Sequence, residues 1–341
     1  MSSTAVRDVE GPGPILRVLQ GQSPRPEVDD DHLLRVYADM VAIRLADAQG
    51  AALAEAGDIP FHAAARHQEA ALVGAAGGVA APDWLFPRAR PAFVALARGM
   101  SLRRYFDHLF GNGSDPARGR RLPDQLTWRA GRVVSVGAPL GSHLGHAAGV
   151  AWAAKIDKSS QVALGLMGPE DFVSNDFHNA LNFAGVSGAP LVVLCIDAGR
   201  ERGAIAGLPE VAEAGVAYGV VSQRCDGGDL LAVIASLRAA LERARAGQGP
   251  TLIHAPIAAT DGDPVARLRA DLQGQGLWDD AREEELLERI AREIGESVRL
   301  ARAASPPPLG SLFEDVYAEE PWHLREQRAE LTSLGGRGRR G

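Results

Sequence analysis

Gln161-Val-Ala-Leu-Gly-Leu-Met167, closed by Gly168 and Pro169, and Leu191-Val-Val-Leu-Cys-Ile196 are short apolar runs with the length and punctuation of buried strands. Between them, Asp176-Phe-His-Asn-Ala-Leu-Asn-Phe-Ala184 sets Phe177, Leu181 and Ala184 at helical spacing, with Ser174, Asn175 and Asp176 available as caps. Strand, helix, strand predicts a parallel crossover unit. In such sheets ligands sit beyond the carboxyl ends of the strands, so the loops starting at Gly168 and Asp197 are expected to border one crevice.

The same alternation extends outward. Arg132-Val-Val-Ser-Val136 reads as a strand, followed by a helix from Gly145 to Lys155 with small residues (Gly145, Ala148, Gly149) along one side. Later come a strand over Gly219–Cys225, a helix opened by Asp229 through Arg245, and a strand over Thr251–Ala255. The fold class expected is α/β, a doubly wound, mainly parallel sheet. Asp29-Asp-Asp31 caps an amphipathic helix through Leu34, Tyr37, Val41 and Leu45 that Gly57-Asp58 ends. A charged helix over Ala281–Ala304 is broken by Ser305-Pro-Pro-Pro308. Residues 1–28 read as a mobile arm, 29–304 as the α/β domain, 305–334 as a C-terminal extension and 335–341 as a flexible basic tail.

The central stretch resembles the helix after the cofactor motif in alpha subunits of the thiamine diphosphate-dependent 2-oxo acid dehydrogenases, the decarboxylating components of the pyruvate and branched-chain complexes. The resemblance runs from about Asp31 to Leu331. It includes Leu33-Leu-Arg-Val-Tyr-Ala-Asp-Met-Val-Ala-Ile-Arg44, Gln68-Glu69, Asp83-Trp-Leu-Phe-Pro87, Gly141-Ser-His-Leu-Gly-His-Ala-Ala-Gly149, Phe313-Glu-Asp-Val-Tyr317 and His323-Leu-Arg-Glu-Gln327. It implies a thiamine diphosphate-binding fold, thiamine diphosphate and Mg as cofactors, and a beta-type subunit as partner in a heterotetramer of two alpha and two beta chains. It also implies a lipoyl acyltransferase as the acceptor component. Arg90, Gly141, His143, Leu144, Gly168, Glu170, Asp197 and Gly199 fall at or beside its cofactor-contacting positions. His62 and His67 fall in the loop that lines its substrate entrance.

The metal positions depart from the family. The family motif is Gly-Asp-Gly and, further on, Asn-Asn-Gly, with the Asp and the second Asn as ligands. Here the triplets are Gly168-Pro169-Glu170 and Asp197-Ala198-Gly199, so neither ligand position offers a side-chain oxygen to an ion that demands octahedral oxygen donors. Ala89 replaces the aromatic residue before the diphosphate arginine, although Arg90 is kept, and Ser174 replaces a glutamate. The loop 257–264 lacks the histidine that faces the diphosphate in the family. Three readings follow. In the first the chain is an alpha-type subunit with weakened or lost cofactor binding and an assembly or regulatory role. In the second it is an active subunit with metal ligands relocated to Glu170 and Asp197. In the third it is an anion-binding module reusing the crevice around Arg90 and His143.

Other chemistry is poorly supported. There is no Gly-x-Ser-x-Gly elbow, no Gly-Lys-Ser/Thr phosphate loop and no dinucleotide glycine fingerprint. His143 and His146 are three residues apart, but no carboxylate nearby in the sequence completes a metal site. His178 reads as a packing residue, and Cys195 and Cys225 as reduced hydrophobes. A net charge of −7 with no basic stripe argues against nucleic acid and anionic membranes. No apolar run nears the roughly twenty residues that span a bilayer, and the cytoplasm is the expected location.

Overall fold

The computed structural model describes residues 11–88, 90–134, 137, 139–199, 210–258 and 262–335. Helix α1 (Asp30–Glu55) opens the main body, its first turn capped by the Asp29 carboxylate, which accepts the His32 amide at 2.8 Å. Helices and strands then alternate: α2 (Glu69–Gly78), β1 (Trp84–Pro87), α3 (Pro91–Ala97), α4 (Leu102–Phe110), α5 (Ser142–Ile156), β2 (Ala163–Met167), α6 (Asn175–Ser187), β3 (Leu191–Asp197), α7 (Val211–Ala217), β4 (Val221–Arg224), α8 (Leu230–Arg245) and β5 (Thr251–Pro256). Three further helices follow: α9 (Pro264–Gly274), α10 (Asp280–Ala303) and α11 (Trp322–Gly335). The five strands form one sheet in the order β1-β2-β3-β5-β4, every pairing parallel. The α/β, mainly parallel sheet expected from the sequence is the one found.

The two-residue period of the strands divides the core. On β3, Val192, Leu194 and Ile196 face one hydrophobic cluster, while Leu191, Val193 and Cys195 face the other. The same split holds on β2, where Leu164 and Leu166 go to the first and Ala163 and Met167 to the second. Helices α1, α2, α8 and α10 cover the first face, and α5 and α6 the second. A strand buried on both faces has no polar period to show, which is why these runs read as continuous apolar segments.

Three sequence expectations meet a different structure. Of the strand predicted over 132–136, the described residues show isolated bridges from Val133 to Leu85 and to Trp128, next to a left-handed Arg132 (φ 54°), while Ser135 and Val136 lie outside the described residues. The segment read as a mobile arm is laid along the sheet edge. Leu16 bridges Cys225, and the amides of Val18 and Leu19 both donate to the Asp229 carboxylate at 2.7 Å. Residues 1–10 and the tail from 336 on lie outside the described residues. The small residues of α5 divide: Gly145 and Gly149 are open, while Ala148 is buried with His143, Leu144, Ala147, Ala151 and Ala154. Cys195 and Cys225 are buried and outside any disulfide, and burial pushes Cys225 up to about 12. Among the described residues, no helix is long and apolar enough to cross a membrane.

Candidate functional site

Because all strands are parallel, the loops leaving β1, β2, β3 and β5 open at one edge. The Met167↔Cys195 register of β2 with β3 sets the Gly168 and Ala198 loops side by side. Between them lies a crevice lined by Gln68, Arg88, Arg90, Gly168, Glu170 and Ala198 among others. The loops starting at Gly168 and Asp197 therefore meet where the sequence placed them.

Ionic and hydrogen-bonded contacts within the chain fill that crevice. Pro169 starts a short 3-10 turn (Pro169–Val173), and Glu170 folds back over Gly168, so that a Cβ on Gly168 would lie 2.3 Å from the Glu170 carboxylate. Arg88 ion-pairs with Glu170, and its Nε lies 3.1 Å from Asp171 Oδ1. Asp171, fully buried, also ties two loops together: Oδ1 accepts the Gly141 amide at 2.6 Å and Oδ2 the Gly168 amide at 3.0 Å. Burial pushes the Asp171 carboxyl up to about 6, against the opposing pull of Arg88 and of the two amides. What remains of the crevice is a cavity of about 40 Å³.

The other family positions are engaged as well. Asp197 is buried; its Oδ2 accepts from His254 Nε2 at 3.1 Å and its Oδ1 from the Gly199 amide at 3.0 Å. His254 reaches it from the neighbouring strand β5. Arg90 has a left-handed backbone (φ 70°) and donates from Nε to the Ala64 carbonyl at 2.6 Å. Gly141 is also left-handed, and a Cβ there would lie 2.1 Å from Ser174 Oγ, so only glycine fits the turn into α5. Leu144, expected beside the cofactor, is buried in the α5 layer, where its Cδ2 sits 2.7 Å from the place of a Cβ on Gly165. His143 is buried too, and its Nε2 donates to the Leu166 carbonyl at 2.9 Å. Burial lowers its pKa to about 4, with the Arg88 charge adding to the shift and the Leu166 carbonyl opposing it. His146 is exposed, so the two are not brought together as ligands.

The histidines assigned to a substrate entrance separate. His62 is interior: Nε2 lies 2.7 Å from Asp47 Oδ1, and its ring stands edge-on to Phe93 over Gly50, where a Cβ would clash at 2.6 Å. Its side chain is 5% exposed and turned toward α1. His67 borders a second cavity of about 690 Å³ at the same sheet edge, lined also by Arg66, Gly199, Ile257 and Asp263. Asp263, held by Arg44 Nη1 at 2.6 Å, stands 3.7 Å from His67 Nδ1. Part of the 257–264 loop, residues 259–261, lies outside the described residues. His178 packs as expected, edge-on to Phe172 and Phe177, with Nδ1 2.6 Å from the Tyr218 hydroxyl.

Sequence reading did not single out Arg88 or His254. A signal existed for the first: two arginines two residues apart follow one strand, and an acidic pair, Glu170-Asp171, follows its neighbour. His254 is a polar residue inside an apolar strand, opposite Cys195 in register and hydrogen-bonded to Asp197 two residues further on.

The model of the dehydrogenase E1 component family matches residues 37–257. A 2-oxoisovalerate dehydrogenase subunit alpha 2 of Arabidopsis thaliana is 31% identical over 88% of this chain and 70% of its own length. The 2-oxoisovalerate dehydrogenase subunit alpha of Pseudomonas aeruginosa is 30% identical over 90% of this chain and 83% of its own, and that of Homo sapiens is 28% identical over 94% and 79%. Parallel sheet, crossover unit and sequence match agree, and the chain belongs to the dehydrogenase E1 component family as one of its alpha-type members.

Proposed function

We propose that this chain keeps the body and assembly role of an alpha-type subunit of a 2-oxo acid dehydrogenase, while its grip on thiamine diphosphate and Mg is weakened or lost. One observation carries the reading. The Arg88–Glu170 pair lies across the crevice between the Gly168 and Ala198 loops, whose pocket of about 40 Å³ adjoins the 690 Å³ cavity through Ala198, and it puts a protein ion pair beside the family's metal positions. The donor set fits the cofactor poorly: Pro169 and Ala198 carry no side-chain oxygen, and each carboxylate oxygen of Asp197 already accepts a hydrogen bond, from His254 and from the Gly199 amide. Relocation of the metal to Glu170 and Asp197 would set the ion against the Arg88 guanidinium that already pairs with Glu170. The anion-binding alternative loses His143, which is buried and bonded to Leu166.

An assembly role is supported by an apolar patch on α5 and α6. Trp152 and Phe183 stack edge-to-face at 5.1 Å while 44% and 42% exposed, beside Ile156 and an 84% exposed Val186. Exposed apolar residues grouped in this way mark interaction surfaces. The partner proposed is a beta-type subunit in a heterotetramer, with a lipoyl acyltransferase beyond it, and the site of action proposed is the cytoplasm. Size-exclusion chromatography with light scattering on the chain co-expressed with a beta-type subunit tests assembly. A stable hetero-oligomer is expected; a chain that elutes alone would overturn the role.

A further inference from the structure

Another cavity, of about 330 Å³ and sharing no lining residue with those at the sheet edge, lies between α1, α10 and the turn that joins α3 to α4. Its volume falls at the small end of the range for small-molecule sites, about 300–1,000 Å³. Helix α1 lines it with Arg35, Ala38, Asp39, Ala42 and Ile43. The spacing i, i+3, i+4, i+7, i+8 is that of one helical face, and Asp39 is its middle member, so its side chain is turned to the cavity. Asp39 is half-buried and, among the described residues, has no hydrogen-bond or ion-pair partner, while its carboxylate oxygens are not sealed from solvent. Burial pushes its carboxyl up to about 6, with the Arg35 charge opposing.

Helix α10 packs against α1 and α4 and lines the same cavity with Arg289, Ile290 and Glu293. Arg35 and Asp39 are four positions apart on α1, as Arg289 and Glu293 are on α10, yet among the described residues neither couple closes into an ion pair. In both, the cation precedes the anion, the weaker order for a helical pair. The wall between them is apolar, made by Ile43, Leu96, Met100 and Ile290. Guanidinium groups and carboxylates balance in number around this wall, so an ion of single charge, of either sign, meets repulsion along with attraction. A zwitterion with an aliphatic side chain engages both signs and the wall.

We infer that this cavity binds an aliphatic amino acid as its zwitterion, the ammonium on Asp39, the carboxylate at the Arg35 and Arg289 rim, and the side chain against the apolar wall. The ammonium supplies the counter-charge that a half-buried carboxylate lacks in the folded chain, and the ligand's carboxylate does the same for guanidinium groups left without an acidic partner.

The test uses the full chain and three probes: L-norleucine; pentylamine, the same molecule without its carboxylate; and hexanoate, the same molecule without its ammonium. Calorimetry and ligand-observed NMR should show saturable binding of norleucine, and each half-molecule should bind about tenfold or more weakly. Asp39→Asn, which keeps the shape and removes the charge, should weaken norleucine about tenfold. The Arg35→Gln/Arg289→Gln double variant, altered only at exposed positions, should do the same. No saturable binding of norleucine, a half-molecule that binds as tightly, or affinity unchanged in either variant would each overturn the site.

Discussion

The guanidinium of Arg88 holds two carboxylates at once, Glu170 through Nη1 and Asp171 through Nε at 3.1 Å, and so joins the loop after β1 to the loop after β2. In a sheet that opens its ligand crevice between such loops, this arrangement puts a protein cation and a protein anion where a diphosphate and its metal would have to go. The consequences reach both stability and binding.

Removing the cation is expected to destabilise the chain. In Arg88→Gln, Glu170 and the buried Asp171 lose their counter-charge. A fully buried pair costs ~3–5 kcal/mol to break; with a fifth of the Arg88 and Glu170 side chains still exposed, about 1–3 kcal/mol is expected. Denaturant melts compared with wild type check this, and an unchanged midpoint would mean the pair carries no load.

The acid limb of stability should depend on His143. Its pKa is depressed to about 4 in the folded chain, so the unfolded chain binds its proton first as pH falls. Stability from this group is fully present above its ordinary value near 6.5 and is lost toward pH 4, up to about 3 kcal/mol for a shift of this size. Asp171 and Asp39, both raised to about 6 chiefly by burial, act with the opposite sign over an overlapping window. The difference between wild type and His143→Gln isolates the histidine. Wild type should lead His143→Gln by its widest margin near pH 7, and the lead should shrink steadily toward pH 4; a constant difference would contradict the assignment.

Asp229 is expected to govern the N-terminal segment. Its carboxylate caps α8 by accepting the Ala232 amide at 3.0 Å and also anchors Val18 and Leu19. Asp229→Ala should cost about 2–3 kcal/mol, from the lost cap and two amides left to water, and should open residues 16–28 to protease. Limited proteolysis followed by mass spectrometry reads this out. Cleavage at the same rate in both proteins would show that the segment is held by other contacts.

Much of this architecture was legible in the sequence, and the parts that were not share a physical reason. Strands β2 and β3, helix α6 and the caps Asp29 and Asp229 follow from apolar runs, helical spacing and side-chain chemistry, all of them local signals. Of the strand expected over 132–136 the described residues show only bridges at Val133, beside a left-handed Arg132, and the arm expected over 1–28 is tied at Val18 and Leu19 by a residue more than two hundred positions away. The loss of metal oxygens at Pro169 and Ala198 was visible residue by residue. What fills the gap was not, because the Arg88 contact spans 82 positions and the His254 contact 57, and nothing local announces either. His62 reads as an entrance residue in the sequence, and the pairing with Asp47 on α1 that turns its ring inward has no local signal.

The central proposition has a constructive counterpart. Pro169→Asp, Glu170→Gly and Ala198→Asn together restore both ligand oxygens of the family motif and remove the carboxylate that leans over Gly168. This triple variant should gain Mg-dependent affinity for thiamine diphosphate of about tenfold or more over the unaltered chain, since each restored oxygen completes part of an octahedral shell. Equal affinity of the two proteins would place the defect elsewhere.

The most direct measurement is calorimetric titration of the unaltered chain, co-expressed with a beta-type subunit, with thiamine diphosphate in the presence and absence of Mg. The expected result is no saturable, Mg-dependent heat at micromolar cofactor. Stoichiometric, Mg-dependent binding in that range would contradict the proposal that Arg88 and Glu170 have taken the cofactor's place.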